Sequence, residues 1–173
     1  MDNVAIIPTG DEMVQGVVLD TNSPALMEII LEKYPRCCVT RTTPVGDDPL
    51  AIKKILNQHT DNDLMIFIGG SGGGKRYDSG LAADVTHVTL DSMLSVKVVK
   101  EIYGYNGHLW SRLVIGRLGR KTMVANVPGP FTEALAAGRA LIEGIAERKS
   151  LEAISEDMAF AVLSQYPNGG QKR

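Results

Sequence analysis

Apolar runs alternate with segments of helical periodicity along the first part of the chain. Three runs are strongly apolar or β-branched and end in turn residues, so they predict strands, at 4–7, 36–45 and 64–70. The two segments between them carry apolar residues at helical spacing, led by Leu26, Ile29 and Ile30 in the first and by Ile52, Ile55 and Leu56 in the second. The order strand, helix, strand, helix, strand predicts right-handed crossovers and a parallel sheet covered on both faces.

Helix start signals precede both helical segments. TNSP at 21–24 offers Asn22 or Ser23 as an N-cap and Pro24 in the first turn. GDDP at 46–49 repeats the signal, and the simplest role for Asp48 is to cap the second helix.

The second half of the chain predicts an antiparallel addition followed by helices. LDSMLSVKVVKEIYGY at 90–105 is interpreted as a helix capped by Asp91 or Ser92. RLVIGRLGRKTMVANV at 112–127 predicts a hairpin that turns at 118–121 and adds antiparallel strands to the sheet edge. Helices are predicted from 131 to 149 and from 151 until Pro167, so residues 1–166 form one three-layer α/β domain and 167–173 a disordered tail.

Composition restricts the classes of partner. A net charge of −2 argues against a nucleic-acid binder, which usually carries a basic excess. No run approaches the roughly 18 apolar residues of a membrane span. The two cysteines, Cys37 and Cys38, are adjacent and would point to opposite faces of a strand, so we expect no disulfide and a cytoplasmic location. Asp2 and Asn3 precede only a short apolar run, so we expect no secretion signal.

A glycine loop follows the third predicted strand. From Gly69 to Lys75 it nearly matches the phosphate-binding loop G-x-x-x-x-G-K-[ST], but Arg76 replaces the hydroxyl residue and Gly80 would interrupt the helix which that loop needs. The dinucleotide fingerprint G-x-G-x-x-G fails as well. Main-chain N–H groups of a glycine loop can still approach an oxyanion closely, and two basic residues add positive charge. The predicted anion-binding residues are Gly69, Gly70, Ser71, Gly72, Gly73, Gly74, Lys75 and Arg76.

Other polar turns should meet the glycine loop at one edge of the sheet. The turns at 9–12, 46–48 and 127–130 each follow a predicted strand, and parallel strands end at the same edge, where open α/β sheets bind ligands. The ligand contacts predicted from these turns are Thr9, Gly10, Asp11, Glu12, Pro128 and Gly129. The surrounding carboxylates are Asp11, Glu12, Asp20, Asp47, Asp48 and Asp78. Carboxylates beside an anion predict Mg²⁺, which bridges them to phosphate.

The combination of these segments resembles the molybdopterin-binding domain of molybdenum-cofactor biosynthesis proteins and CinA-like proteins. The resemblance rests on IIPTGDEMVQGVVLDTNSPAL, VGDDPLAI, IFIGGSGGG and IGRLGRKTMVANVPGPFTEA, and it extends to about residue 145. It implies a three-layer α/β/α sandwich with a mostly parallel sheet and a pterin ligand that carries a terminal phosphate. It also implies a homo-oligomer, either a trimer or a dimer.

The resemblance implies two activities, adenylation of molybdopterin with Mg·ATP and insertion of molybdate into the adenylated pterin. By motif, Asp47 and Asp78 match the catalytic carboxylates, and both are the expected Mg²⁺ ligands. The loop is apparently one residue longer than the usual one, and its KRYD ending is closer to the insertase type. Two alternatives stay open: a carrier or regulatory module that binds a pterin or nucleotide without turnover, and a CinA-like nucleotide pyrophosphatase.

Overall fold

A computed structural model describes residues 1–72, 84–104, 107–166 and 171–172 of the 173-residue chain. The strands are β1 (Asn3–Pro8), β2 (Cys38–Arg41), β3 (Leu64–Ile68), β4 (Val96–Tyr103), β5 (Leu109–Leu118), β6 (Thr122–Val127) and β7 (Gln171–Lys172). The helices are α1 (Asp11–Val14), α2 (Asn22–Lys33), α3 (Pro49–Gln58), α4 (Thr86–Met93), α5 (Phe131–Ala146) and α6 (Leu151–Leu163).

The strands form one mixed sheet in the order β2-β1-β3-β6-β5-β4-β7. Neighbours from β2 to β6 pair in parallel, whereas β6-β5, β5-β4 and β4-β7 pair antiparallel. The mostly parallel three-layer fold predicted from the sequence is therefore confirmed. Because β1, β3 and β6 lie side by side and run the same way, the turns after them meet at one edge.

Alternate residues of the central strands enter two separate apolar cores. In β1, Val4 and Ile6 face the core beneath α2, α5 and α6, whereas Ala5 and Ile7 face the core beneath α3 and α4. The side chains of all four residues are fully buried. This burial on both faces explains why the strand reads as a continuous apolar run rather than as an alternating one.

Helix capping agrees with the sequence at α3 and differs at α2. Asp48 caps α3 by accepting from the main-chain N–H groups of Leu50 at 3.0 Å and Ala51 at 3.3 Å. At α2, the cap is not formed by Asn22 or Ser23 as predicted. Asp20 instead accepts from the main-chain N–H of Ser23 at 2.9 Å, because the chain enters this helix through an aspartate turn.

One element prediction is corrected by the structure. The segment 90–105 is not one helix: α4 ends at Met93, and β4 follows from Val96 to Tyr103. The β-branched residues of this segment favour a strand, and antiparallel pairing with β5 satisfies its main chain. The predicted hairpin forms as β5 and β6 and makes this edge of the sheet antiparallel, and β4 and β7 continue the sheet beyond it.

The C-terminal residues and the cysteines complete the fold. Gln171 and Lys172, inside the predicted disordered tail, pair with Tyr103 and Ile102 of β4, since an edge strand offers main-chain hydrogen bonds whatever the side chains. The rest of the tail lies outside the described residues. Cys37, which directly precedes β2, is buried, and Cys38, the first residue of β2, is exposed. Among the helices described, none has the length and apolarity needed to cross a membrane.

Candidate functional site

The ends of the three central parallel strands are joined by hydrogen bonds around Thr9. Its main-chain N–H and its hydroxyl both donate to the Ile68 carbonyl, at 2.9 and 2.8 Å. Gly69 N–H donates to the Val127 carbonyl at 3.1 Å. The turns after β1, β3 and β6 are therefore held side by side, and the predicted convergence at one sheet edge is observed for their described residues.

The turn after β2 is fixed to the turn after β1 by a reciprocal pair of hydrogen bonds. Asp11 N–H donates to Asp47 Oδ2 at 3.3 Å, and Asp47 N–H donates to Asp11 Oδ1 at 3.1 Å. Gly10 N–H also donates to the Val45 carbonyl at 2.9 Å. Asp11 and Asp47 therefore have a structural role in joining these two turns.

Asp47 keeps one carboxylate oxygen without a partner. Its Oδ1 is buried and accepts no hydrogen bond from the part of the chain that the structure describes. Burial raises the pKa of Asp47, and the neighbouring carboxylates of Asp11, Glu12 and Asp84 raise it further, whereas the Asp11 N–H acts against the shift. An unpaired carboxylate oxygen that lies among other carboxylates can bind a cation or a proton.

The first two glycines of the loop have left-handed backbone conformations and lie against α4. Gly69 and Gly70 have φ angles of 96° and 57°, which L side chains rarely adopt. A Cβ atom on Gly70 would lie 2.2 Å from the hydroxyl of Thr86, so only glycine fits there. Thr86 in turn donates to the Thr9 hydroxyl at 3.1 Å, which connects α4 to the strand ends.

His87 and β5 hold the next part of the loop. The Gly70 carbonyl accepts from the main-chain N–H of His87 at 3.3 Å. The same carbonyl lies 2.8 Å from Nδ1 of the His87 ring, so a hydrogen bond there places the ring proton on Nδ1. The Ser71 carbonyl accepts from Arg112 N–H at 2.7 Å, and the Ser71 and Ser111 hydroxyls are 3.2 Å apart. The carbonyls of Gly70 and Ser71 therefore point into the protein.

Two adjoining cavities open on either side of the loop. The first, about 370 Å³, is lined by Pro8, Thr9, Glu12, Met13, Val18, Leu19, Asp20, Thr21, Asn22, Ile68, Gly69, Gly129 and Phe131. The second, about 440 Å³, is lined by Glu12, Gly69, Gly70, Ser71, Gly72, Asp84, His108, Leu109, Trp110, Pro128, Gly129, Pro130, Glu133 and Tyr166. We call them cavity A and cavity B. Glu12, Gly69 and Gly129 line both, so these residues form the shared wall.

Asn126 bridges β5 and β6 where the main-chain pairing of the two strands ends. The side chain is fully buried. Its Oδ1 accepts from Val114 N–H at 2.6 Å, and its Nδ2 donates to the Arg112 carbonyl at 3.0 Å. Main-chain pairing between β5 and β6 stops at Ile115, so the amide side chain replaces the ladder where the two strands diverge.

An acidic and aromatic cluster forms the far wall of cavity B. Tyr166 donates a short hydrogen bond from its hydroxyl to Glu133 Oε1, and its ring centroid lies 4.3 Å from that of Trp110. Burial raises the pKa of Glu133, and the hydrogen bond from Tyr166 acts against this shift. The sequence analysis missed all three residues, because nothing in their local sequence indicates that β5, α5 and the segment after α6 meet.

Most of the predicted site residues are brought together. Those with described positions at the strand ends are Thr9, Gly10, Asp11, Glu12, Asp47, Gly69, Gly70, Ser71, Gly72, Pro128 and Gly129. Asp20 lines cavity A and pairs with Arg41 at 2.7 Å, whereas Asp48 only caps a helix. Gly73, Gly74, Lys75, Arg76 and Asp78 lie outside the described residues, so their roles stay predictions.

His87 should make the stability of the protein depend on pH. Burial lowers its pKa below 6.5, so the folded state holds the neutral ring. The stabilisation of the folded state by the neutral His87 ring is complete above pH 6.5. It is lost as the pH falls from there towards the pKa in the folded state, and the free energy of unfolding then falls by at most about 1.4 kcal/mol per pH unit. We expect the free energy of unfolding of the wild type to fall more steeply below pH 6.5 than that of His87→Asn. Parallel curves from urea titrations between pH 5 and pH 8 would contradict this.

The family of the chain follows from comparison with known proteins. Residues 5–148 match the family described as a probable molybdopterin binding domain. The chain belongs to this family. Comparison with curated proteins finds no matching sequence.

Solved structures of the same fold include cofactor biosynthesis proteins and a CinA protein. The molybdopterin biosynthesis enzyme MoaB from Thermus thermophilus is 23% identical, with a TM-score of 0.59 over 97% of this chain and 93% of that one. The molybdopterin biosynthesis Mog protein from Mycobacterium ulcerans is 20% identical, with a TM-score of 0.64 over 89% and 99%. CinA from Thermoplasma acidophilum, a protein of unknown function, is 18% identical, with a TM-score of 0.57 over 91% and 99%. At these identities the likeness establishes the fold.

Proposed function

We propose that this domain binds molybdopterin at the shared wall of the two cavities and acts on it in molybdenum cofactor biosynthesis. The observation that carries the proposal is the left-handed start of the glycine loop at Gly69 and Gly70, which lies between two cavities and beside the turns after β1 and β6. The family match supports a pterin ligand. Together the cavities have room for a bicyclic ring system and for a second ligand.

Main-chain N–H groups supply the anion contacts in this proposal. The N–H groups of Gly70, Ser71 and Gly72 meet no acceptor within the described ranges, and the carbonyls of Gly70 and Ser71 are turned towards α4 and β5. The first turn of α5 begins at Phe131, next to Gly129 in the shared wall, and its positive dipole end favours negative charge. A terminal phosphate at this wall would accept from both elements. Lys75 and Arg76, outside the described residues, would add positive charge.

The enzymatic form of the proposal is adenylyl transfer. A phosphate oxygen of molybdopterin attacks the α-phosphorus of ATP, the new P–O bond forms, and pyrophosphate leaves. Within the described ranges, no three His, Cys, Asp or Glu side chains form a metal site. Mg²⁺ bound to Asp47 Oδ1 would therefore need further ligands, either phosphate oxygens or residues such as Asp78. A bound Mg²⁺ would neutralise phosphate charge. Molybdate insertion would use the adenylated product at the same wall.

Asp47→Asn is expected to separate binding from turnover. Removing a negative charge beside an anion site should leave the affinity for molybdopterin unchanged or increase it. The adenylation rate should fall by at least about 100-fold, because a neutral amide is a poor Mg²⁺ ligand and no base. The measurement combines anaerobic titration with molybdopterin released from a molybdoenzyme and detection of the adenylated product after addition of Mg·ATP.

Asp48→Asn is the matched control for this experiment. Asp48 is the next residue, and asparagine caps a helix as well as aspartate does, so both activities should stay at wild-type levels. Binding without turnover in the wild type would favour the carrier function. If the wild type does not bind molybdopterin, the proposed function is wrong.

We also propose that the chain forms a homo-oligomer. Phe160 on α6 is 63% exposed and Leu19 beside cavity A is 83% exposed, and large apolar side chains at such exposures are suited to contact with another copy. Light scattering across a concentration series should give a mass above that of one 18.7 kDa chain. A monomer at the highest concentration would contradict this.

A further inference from the structure

Glu133 is a buried carboxylate that lines cavity B. It lies in the first turn of α5 and is only 8% exposed. Its Oε1 accepts from the hydroxyl of Tyr166, whereas Oε2 has no partner among the residues that the structure describes. A carboxylate that lines a cavity and has one oxygen held by the protein can accept with the other from a ligand that carries N–H donors.

Tyr166 and Trp110 fix the direction of this carboxylate. The Trp110 indole packs closely on Gly104, since a Cβ there would lie 2.3 Å from the indole ring. The Tyr166 ring lies against the Trp110 ring at an interplanar angle of 32°. Because these contacts hold Tyr166, its hydroxyl holds Glu133 Oε1, and Oε2 stays free for a ligand.

The charges that line cavity B favour donors over acceptors. Glu12, Asp84 and Glu133 contribute three carboxylates, and no lysine or arginine is present among the described lining residues. A ring edge made of acceptors would face oxygen atoms here and would be repelled. A ring edge made of adjacent N–H groups would be attracted, since hydrogen bonds to charged groups are the stronger ones.

We propose that Glu133 determines specificity in cavity B by accepting from two adjacent N–H donors of a heterocycle, the edge of a 2-amino-4-oxopyrimidine ring. This inference rests on the proposed function and assigns the end of the ligand that carries the amino group to the part of cavity B lined by Glu133, Trp110 and Tyr166. The free Oε2 accepts one donor, and the remaining lone pair of Oε1 accepts the other. A 2,4-dioxo ring of the same shape presents an oxygen in place of the amino group and is rejected.

A pair of fluorescent probes that differ in this one group tests the inference. 6-Hydroxymethylpterin carries the 2-amino group, and 6-hydroxymethyllumazine has an oxygen there. We expect the wild type to bind the pterin about 10- to 100-fold more tightly than the lumazine, as one charge-assisted hydrogen bond predicts. Glu133→Gln should remove this discrimination by weakening the pterin and leaving the lumazine unchanged or tighter, because a glutamine amide can donate to the lumazine oxygen.

Two further variants separate specificity from folding. Glu143→Gln makes the same change on an exposed position of α5 and should keep the wild-type ratio of affinities. Tyr166→Phe keeps the aromatic packing but releases Oε1, and it should reduce the ratio by less than Glu133→Gln does. All variants are first checked for wild-type thermal unfolding midpoints; if Glu133→Gln unfolds early, Tyr166→Phe carries the test.

The outcomes of this test distinguish the inference from the proposed function. If the pterin binds but the ratio is the same in Glu133→Gln and in the wild type, Glu133 does not read the ring edge, and the proposed function stands. A ratio near one in the wild type also overturns the inference alone. If neither probe binds and molybdopterin itself does not bind, both are wrong.

Discussion

Gly70→Ala is expected to lower the free energy of unfolding by about 2–5 kcal/mol and to abolish ligand binding. Two costs add at this position. The left-handed φ of 57° is unfavourable for alanine by about 1–2 kcal/mol. The new Cβ would also lie 2.2 Å from the Thr86 hydroxyl, and such overpacking typically costs about 1–3 kcal/mol. Because Thr86 is bonded to Thr9, relief of the clash would move α4 away from the strand ends.

Gly16→Ala is the matched control, since it isolates the cost of the backbone conformation. Gly16 has a φ of 70°, but nothing lies within 4 Å of an added Cβ. Gly16→Ala should therefore lower the free energy of unfolding by only about 1–2 kcal/mol, and the variant should bind the ligand as tightly as the wild type does. Urea unfolding gives both losses, and titration with molybdopterin below the unfolding transition gives the affinities. Equal losses of stability in the two variants would show that the contact with Thr86 is not tight.

The central parallel half of the fold could be predicted because its signals are local. Strands buried on both faces are continuous apolar runs, as in β1 and β3, and the glycines after β3 mark where the chain must turn. The rule that parallel strands end at one edge then brings Thr9, Gly69 and Gly129 together without any further information. This is why the predicted convergence is found in the structure.

The antiparallel half could not be predicted as well, because pairing partners decide it. The segment that forms β4 contains Val96, Val98 and Val99, but its turn signals are weak, and helical and strand periodicities both fit part of it. Only its long antiparallel register with β5 makes it a strand. The pairing of β6 with β3, which joins the predicted hairpin to the parallel strands, likewise has no local pattern that indicates it.

The wall of cavity B that contains Glu133 could not be predicted either, because it also depends on contacts between distant segments. Glu133, Trp110 and Tyr166 come from α5, β5 and the end of the chain segment after α6, and the three are close only because α6 crosses β4 and β5. A glutamate in the first turn of a helix normally indicates a favourable contact with the helix dipole. Its burial against a tyrosine is a tertiary property, so a single sequence gives no sign of it.

Asn126→Ala is expected to destabilise the protein by about 2–6 kcal/mol and to weaken binding in cavity B. Its amide bonds the Val114 N–H and the Arg112 carbonyl in a fully buried position. Alanine leaves both main-chain groups unpaired, and each buried unpaired group costs about 1–3 kcal/mol. The ladder between β5 and β6 can recover these bonds only if β5 moves towards β6, which narrows the cavity.

Asn62→Ala removes an asparagine bond of a different kind and serves as the control. Asn62 Nδ2 donates to the His59 carbonyl at 3.0 Å within a turn, where a water molecule can replace the amide. The free energy of unfolding should therefore fall by at most about 1 kcal/mol, and the variant should bind the pterin as tightly as the wild type does. Affinity for 6-hydroxymethylpterin is measured for both variants at a temperature where each remains folded. If Asn126→Ala stays folded and binds the pterin as tightly as the wild type does, β5 has not closed on β6, and the cavity is kept open by the helices rather than by this side chain.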